Sequence, residues 1–187
     1  AGSTGGDDMS GATLAPSLSA AVEGECVNLA NVFERHPDDA VAFVSRGKNT
    51  TYGELRDAVG SFRRGLADAG LEPGDRLAIV AGNNWYFVAS YLAALGAGLV
   101  AVPLNPMSPP LELAAQLRTV GARGVVIGPA ARTVFDTLDR STIPDVSVFV
   151  GCGFVPEGGV GHDELLAKEP APIVERYRAA TDLLAAL

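Results

Sequence analysis

Few residues in this chain have types and spacing that could do chemistry. Gly96-Ala97-Gly98-Leu99-Val100-Ala101 matches the dinucleotide pattern G-x-G-x-x-G/A as text. That pattern works when the glycines follow a strand and open a helix, so that a pyrophosphate meets the helix amino terminus. An acidic residue should also stand about twenty positions later to hold a ribose. This chain has Gln116 and Leu117 there, and the surrounding apolar spacing makes the glycines close a helix and open a strand. They read as helix-stop glycines, with a dinucleotide-binding oxidoreductase domain kept as a rival. His162-Asp163-Glu164 could move protons, but in a loop ahead of a helix the same residues read as caps. Asn83-Asn84-Trp85-Tyr86 falls just after an expected strand, where open α/β sheets bind ligands. Trp85 there either lines a pocket or packs in the core.

Other chemistries find no support. The chain has no G-x-x-x-x-G-K-[ST] phosphate loop and no G-x-S-x-G nucleophile elbow. Gly151-Cys152-Gly153 and Gly158-Gly159 lack a following Lys. Cys26 and Cys152 have no metal spacing, and His36 and His162 complete no zinc set. The cysteines read as free thiols in a reducing compartment, and no metal site is expected. The net charge of −8 disfavours a nucleic-acid partner, which would need clustered Lys and Arg. The apolar stretch Phe87 to Leu104 is broken by Ser90, Gly96, Gly98 and Pro103, so no transmembrane segment is expected.

The elements that must position these residues follow from periodicity. Residues 1–24 read as a flexible lead-in, with 1–8 a cloning remnant. A short helix is expected over Cys26 to Glu34, ending before Pro37. Ala40 to Ser45 and Thr50 to Tyr52 read as strands around an Arg46-Gly47-Lys48-Asn49 turn. Thr51-Tyr52-Gly53-Glu54 fits the capping box of a helix whose apolar face is Leu55, Ala58, Val59, Phe62, Leu66 and Ala69, with Arg56, Arg63 and Arg64 elsewhere. Arg76 to Ala81 is a buried strand. A helix follows with Trp85, Val88, Tyr91, Leu92 and Leu95 on one face, then a strand Leu99 to Leu104 whose Pro103 marks its end or an edge. Ser108, with Pro109 at the first helical position, opens the next helix. Arg123 to Gly128 is a strand, Ala130 to Leu138 a helix and Val146 to Val150 a strand. Gly151 to Gly161 is a loop and Asp163 to Lys168 a short helix. The alternation predicts an α/β unit over residues 25–187, a mainly parallel sheet flanked by helices.

The succession of segments resembles a known family. His36-Pro37-Asp38, Ala40-Val41-Ala42-Phe43 and Thr51-Tyr52-Gly53-Glu54-Leu55 resemble the opening of the adenylate-forming (AMP-binding) superfamily, and of its acyl-CoA synthetases in particular. Leu71-Glu72-Pro73-Gly74-Asp75-Arg76 resembles that family's turn into a strand. Phe87 to Pro106 resembles its helix ending in x-A-G and strand ending in V-P-L-N/D-P. The resemblance covers roughly residues 28–127. It implies part of the large amino-terminal domain of an AMP-forming fatty-acid–CoA ligase, which forms an acyl-adenylate and then an acyl-CoA. The parent would use ATP, Mg and CoA with a carboxylic acid, in cytoplasmic lipid metabolism. Thr181 to Leu187 resembles the strand leading into the family's phosphate loop. The chain is therefore expected to stop before that loop, with no catalytic residue and no bound cofactor of its own. Asn105 leans towards CoA ligases, and Trp85 and Asn105 are the substrate-proximal candidates. A non-enzymatic α/β interaction module is a further rival. A piece of a larger domain is also expected to self-associate through exposed surface.

Overall fold

The computed structural model describes residues 28–45 and 47–173. Cys26, the lead-in and the segment Thr181 to Leu187 lie outside them. A 3-10 turn, Leu29–Phe33, opens the described chain where a helix was expected; Asn28 caps it by accepting the Ala30 N–H. The hairpin β1 (Val41–Ser45) and β2 (Lys48–Thr51) pairs Phe43 with Thr50 and Ser45 with Lys48.

Helix α1 (Tyr52–Asp68) begins as its sequence demands. The Thr51 hydroxyl accepts the Glu54 N–H at 3.2 Å, and the Glu54 carboxylate accepts the Thr51 N–H at 2.9 Å. Both groups would otherwise be orphaned at the helix start. Arg56 then ties the preceding segment to this helix. It donates to the carbonyls of Phe33 and His36 at 2.8 and 3.1 Å and pairs with Asp38. One face of α1 buries Leu55, Val59, Phe62 and Leu66 as expected, but Arg63 is buried as well, only 8% exposed.

The main sheet takes the order β4-β3-β5-β6-β7, every pair parallel. Its strands are β3 (Arg76–Val80), β4 (Val100–Pro103), β5 (Gly124–Ile127), β6 (Val148–Gly151) and β7 (Val160–Gly161). The helices between them are α2 (Trp85–Gly96), α3 (Pro110–Val120), α4 (Arg132–Thr137) and α5 (His162–Leu166). Alternation along the strands splits the core in two. Leu77, Ile79, Val126, Val148 and Val150 face the cluster under α1, α2 and α5. Ala78, Val80, Val125, Ile127 and Phe149 face the cluster under α3 and α4. Apolar side chains on both strand faces make the near-continuous runs of a sheet covered on each side. The fold class is the one the alternation predicts.

Several expectations shift in detail. The residue before a proline is pushed out of the helical region, so Pro109 is extended and Pro110 becomes the first residue of α3; Ser108 does not cap it. The face of α2 that is fully buried is Ala89, Ser90, Ala93 and Ala94 with Leu95, while Trp85, Val88, Tyr91 and Leu92 are half-buried around it. This helix is apolar nearly all round, and its small residues let α1 cross close by. The helix expected from Ala130 splits into a 3-10 turn, Pro129–Ala131, and α4. The Gly-rich stretch after β6 ends in β7, a strand too short to leave an alternation in the sequence. Pro103 is both the last residue of β4 and at the sheet edge among the described residues.

Candidate functional site

From β3 the chain crosses by α2 to β4 at one edge, then by α3 to β5 on the other side of β3. The direction of winding therefore reverses between β3 and β5. The crevice outside the carboxyl ends of such strands is where open α/β sheets hold ligands. An open cleft of about 730 Å³ lies there, between the β1–β2 hairpin and the head of α2, with Pro129 after β5 and Leu166 of α5 on its wall.

Strand periodicity supplies one side of the cleft. Phe43 and Ser45 alternate on β1, Lys48 and Thr50 on β2, and the register sets Phe43 beside Thr50 and Ser45 beside Lys48. Helix capping supplies the other. The Asn84 side chain accepts the Phe87 N–H at 3.2 Å, which starts α2 and turns Trp85 and Tyr86 towards the hairpin. The Phe43 and Trp85 rings stand 6.3 Å apart, tilted by 50°. Trp85 is half-buried: it lines the cleft and also packs against the core, so its two readings meet. Glu54 reaches the cleft from the first turn of α1.

Behind Tyr86 sits His162. Its ring is fully buried, 4.5 Å from Phe62 and 5.1 Å, edge-on, from Tyr86. Neither ring nitrogen has a hydrogen-bond partner among the described residues. Nδ1 stands 3.8 Å from the Asp163 carboxylate. Burial lowers the imidazole pKa to about 4, outweighing the upward pull of Asp163. Burial likewise pushes the Cys152 thiol up to about 12, with Asp163 adding to the rise. The Tyr86 phenol is raised by burial, then by Asp163 and Cys152. At neutral pH this cluster is a neutral imidazole, a thiol and a phenol, with no poised base or nucleophile. Nor does His162-Asp163 cap a helix: α5 starts at His162 with Gly161 at its cap and no side-chain cap bond.

Asn105 is not brought to the cleft. It is exposed in the turn after β4, where its side chain accepts the Met107 N–H at 3.0 Å and its carbonyl accepts the Ser108 N–H. Gly96 ends α2 and Gly98, at φ 73°, precedes β4, which is the order opposite to a dinucleotide fingerprint. The sequence marked Glu54 only as a capping residue, and neither Lys48 nor Leu166 as lining a cleft. Lys48 was expected in the hairpin turn; it instead opens β2, two residues before Thr50. Among the described residues no cluster of three or more His, Cys, Asp or Glu could hold a metal ion.

The winding order, the two covered sheet faces and the hairpin ahead of α1 define an open, doubly wound α/β unit. The chain belongs to the AMP-binding enzyme family, whose model matches residues 29–177. It is 43% identical over 88 residues to a naringenin synthase of Pestalotiopsis fici, covering 47% of this chain and 3% of that protein. It is 32% identical over 111 residues to a mitochondrial medium-chain acyl-CoA ligase of Mus musculus, covering 59% of this chain and 18% of that one. Its fold matches the crystal structure of the anthranilate CoA ligase AuaEII with a TM-score of 0.75 at 18% identity, over 81% of this chain and 30% of that chain. The chain thus spans less than a third of the length of each of these proteins.

Proposed function

We propose that these residues are the amino-terminal part of an ATP-dependent acid–CoA ligase acting on fatty acids. The observation that carries the reading is the family match over most of the described chain, in a fold whose cleft lies where the winding reverses. The mouse relative's activity on medium-chain acyl groups supports a fatty acid as substrate. An aryl acid is the second reading, favoured by the fold likeness to an anthranilate CoA ligase. A cytoplasmic place in lipid metabolism belongs to the same proposal. No described helix is long and apolar enough to cross a membrane.

The parent reaction moves negative charge from ATP to an acyl-adenylate and then to a thioester, with ATP, Mg and CoA supplying the phosphate and thiol chemistry. The residues present do not fit those groups. The sequence holds no Ser/Thr/Gly-rich run ending in Lys, and the described residues hold no metal cluster. No step is assigned to them, and the 187-residue chain alone is inactive on this reading. Its part is to build and support the sheet and its rim.

Pyrophosphate release tests the proposal. The 187-residue chain given ATP, CoA and octanoate or benzoate should release none, and turnover would overturn its inactivity. The chain extended by whatever its gene encodes beyond Leu187 should turn over octanoate faster than benzoate. The reverse order would favour the aryl reading, and no turnover of any acid would sink both. Reading the gene beyond Leu187 for a T-S-G-T-T-G-x-P-K-G run is the cheaper check.

A further inference from the structure

We infer that residues 162–171, which comprise α5 and the strap after it, are an acid-released latch on α1, pinned by the His162 ring. The inference does not rest on the ligase reading: it concerns how one wall of the cleft is held in place.

The seat of the latch is built into α1. Gly60 and Gly65 lie inside this helix and are buried, although interior glycines weaken a helix. A Cβ on Gly65 would stand 2.7 Å from the Leu165 Cβ, and one on Gly60 would stand 2.8 Å from the Pro170 Cβ. The two glycines are therefore notches that let Leu165 and Pro170 reach the helix surface. Beside them the Ala171 N–H donates to the Gly60 carbonyl at 3.0 Å, and Lys168 stands 3.6 Å from Asp68. That ion pair is exposed on both sides and adds little.

Attachment from the other end is weak. Strand β7 pairs with β6 through two residues, and α5 is a five-residue helix with no side-chain cap bond. A helix that short does not hold itself in water. The segment can therefore leave α1 without opening the sheet.

His162 sets the condition for leaving. Its ring is fully buried between Phe62 of α1 and Tyr86 of α2, with neither nitrogen hydrogen-bonded among the described residues. Around it α1 offers an aromatic ring, α2 a phenol, the segment after β6 the Cys152 thiol of the same cluster, and β7 only Val160 and Gly161. The charge that faces it is Asp163 on its own helix, exposed, 3.8 Å from Nδ1. An imidazolium in this slot would lose its water for one solvated carboxylate beyond hydrogen-bond reach, so acid favours the state with the ring in water. Release alters the cleft as well. Leu166 of α5 leaves its wall, and Tyr86 loses the ring it meets edge-on.

Native-state hydrogen exchange of the 187-residue chain reads the latch, with intrinsic rates corrected for pH. Protection of the Ala171 amide should be lower than that of Ile79 and Val126 in the sheet at every pH, and nearly insensitive to low urea. The closed latch binds fewer protons at His162 than the released one, so protection is complete above pH 6.5 and falls on acidification. Between pH 7.5 and 5 it should fall about thirtyfold, the factor set by a pKa of about 4 in the seat and 6.5 in water. His162→Phe keeps a ring against Phe62 and Tyr86 but cannot titrate, and should remove the fall. Gly65→Ala fills a notch and should lower Ala171 protection already at pH 7.5. Ala171 protection independent of pH, protection equal to the sheet's throughout, a fall that persists in His162→Phe, or no loss in Gly65→Ala would each overturn the inference. The first two readings come from the unmodified chain and do not depend on any variant folding.

Discussion

Arg63 and Gly96 share one space: the Arg63 guanidinium, on α1, lies where any side chain at position 96 of α2 would have to go, and a Cβ there would overlap Nη1. From that slot Arg63 donates through Nε and Nη2 to the Ala171 carbonyl at 2.9 and 2.6 Å. The Ala171 N–H in turn donates to the Gly60 carbonyl at 3.0 Å, and Pro170 rests on Gly60. Nη1 has no partner among the described residues. Burial lowers the guanidinium pKa, with Glu34 pulling it back up. One buried cation therefore joins α1, α2 and the 170–171 strap.

Gly96→Ala should lose stability in spite of alanine's better helix propensity, because it must displace a buried guanidinium. A net cost of about 1–3 kcal/mol is expected from urea unfolding. Arg63→Met should remove most of that cost when combined with Gly96→Ala, a coupling that a double-mutant cycle reads directly. By itself Arg63→Met should speed hydrogen exchange at the Ala171 amide more than it changes the unfolding midpoint. Additive effects of the two substitutions would show that they do not compete for the slot.

His162 gives the fold a pH dependence of defined sign. Its pKa is about 4 folded against 6.5 as the ordinary value, so between these the unfolded chain binds more protons. Its contribution is complete above pH 6.5 and lost as pH falls through about 4, a difference on the order of 3 kcal/mol. His162→Leu should flatten the stability profile in that window. An unchanged slope between pH 6.5 and 4 would place the dependence on other groups.

The capping box of α1 is a local device with a local effect. Thr51→Ala should cost about 1 kcal/mol in thermal or urea unfolding, and Thr51→Ser much less. Equal stability of Thr51→Ala and the parent chain would mean that tertiary contacts alone hold the start of α1.

Cys152 should be inert while the chain is folded. It is buried, and its thiol is pushed up to about 12. In a Cys26→Ser background, an aromatic disulfide reagent should label it only at the rate of unfolding. Rapid labelling in native buffer would show that the 152–159 loop opens on its own.

Strand β4 is the sheet's edge among the described residues, and Val100, Ala101 and Val102 on it are only half-buried. Unpaired strand edges of this kind recruit further strands. Sedimentation should show concentration-dependent association of the chain, reduced by Val102→Lys. A monomer at all concentrations would argue that the edge is protected.

Much of the fold was legible because its causes are local. The Thr51–Glu54 box and the Gly96–Gly98 pair at the end of α2 each act within a few residues, so sequence order places them. The apolar runs of β3 and β5 declare buried parallel strands because both of their faces are covered. The misplaced details have local competitors. Consecutive prolines at 109 and 110 move a helix start by one residue, and a helix apolar on every side, α2, hides which face is innermost.

The sequence by itself determined the order of helices and strands, the direction in which the Gly96–Gly98 pair faces, and the absence of a phosphate loop within these residues. These follow from side-chain period and backbone chemistry over short stretches. Only the tertiary structure decided that Lys48 and Glu54 share a cleft with Trp85, that Asn105 stays outside it, and that Arg63 is buried against Gly96. Those outcomes depend on how segments far apart in the chain cross one another, and a one-dimensional pattern carries no record of which distant backbone will fill the space beside a glycine.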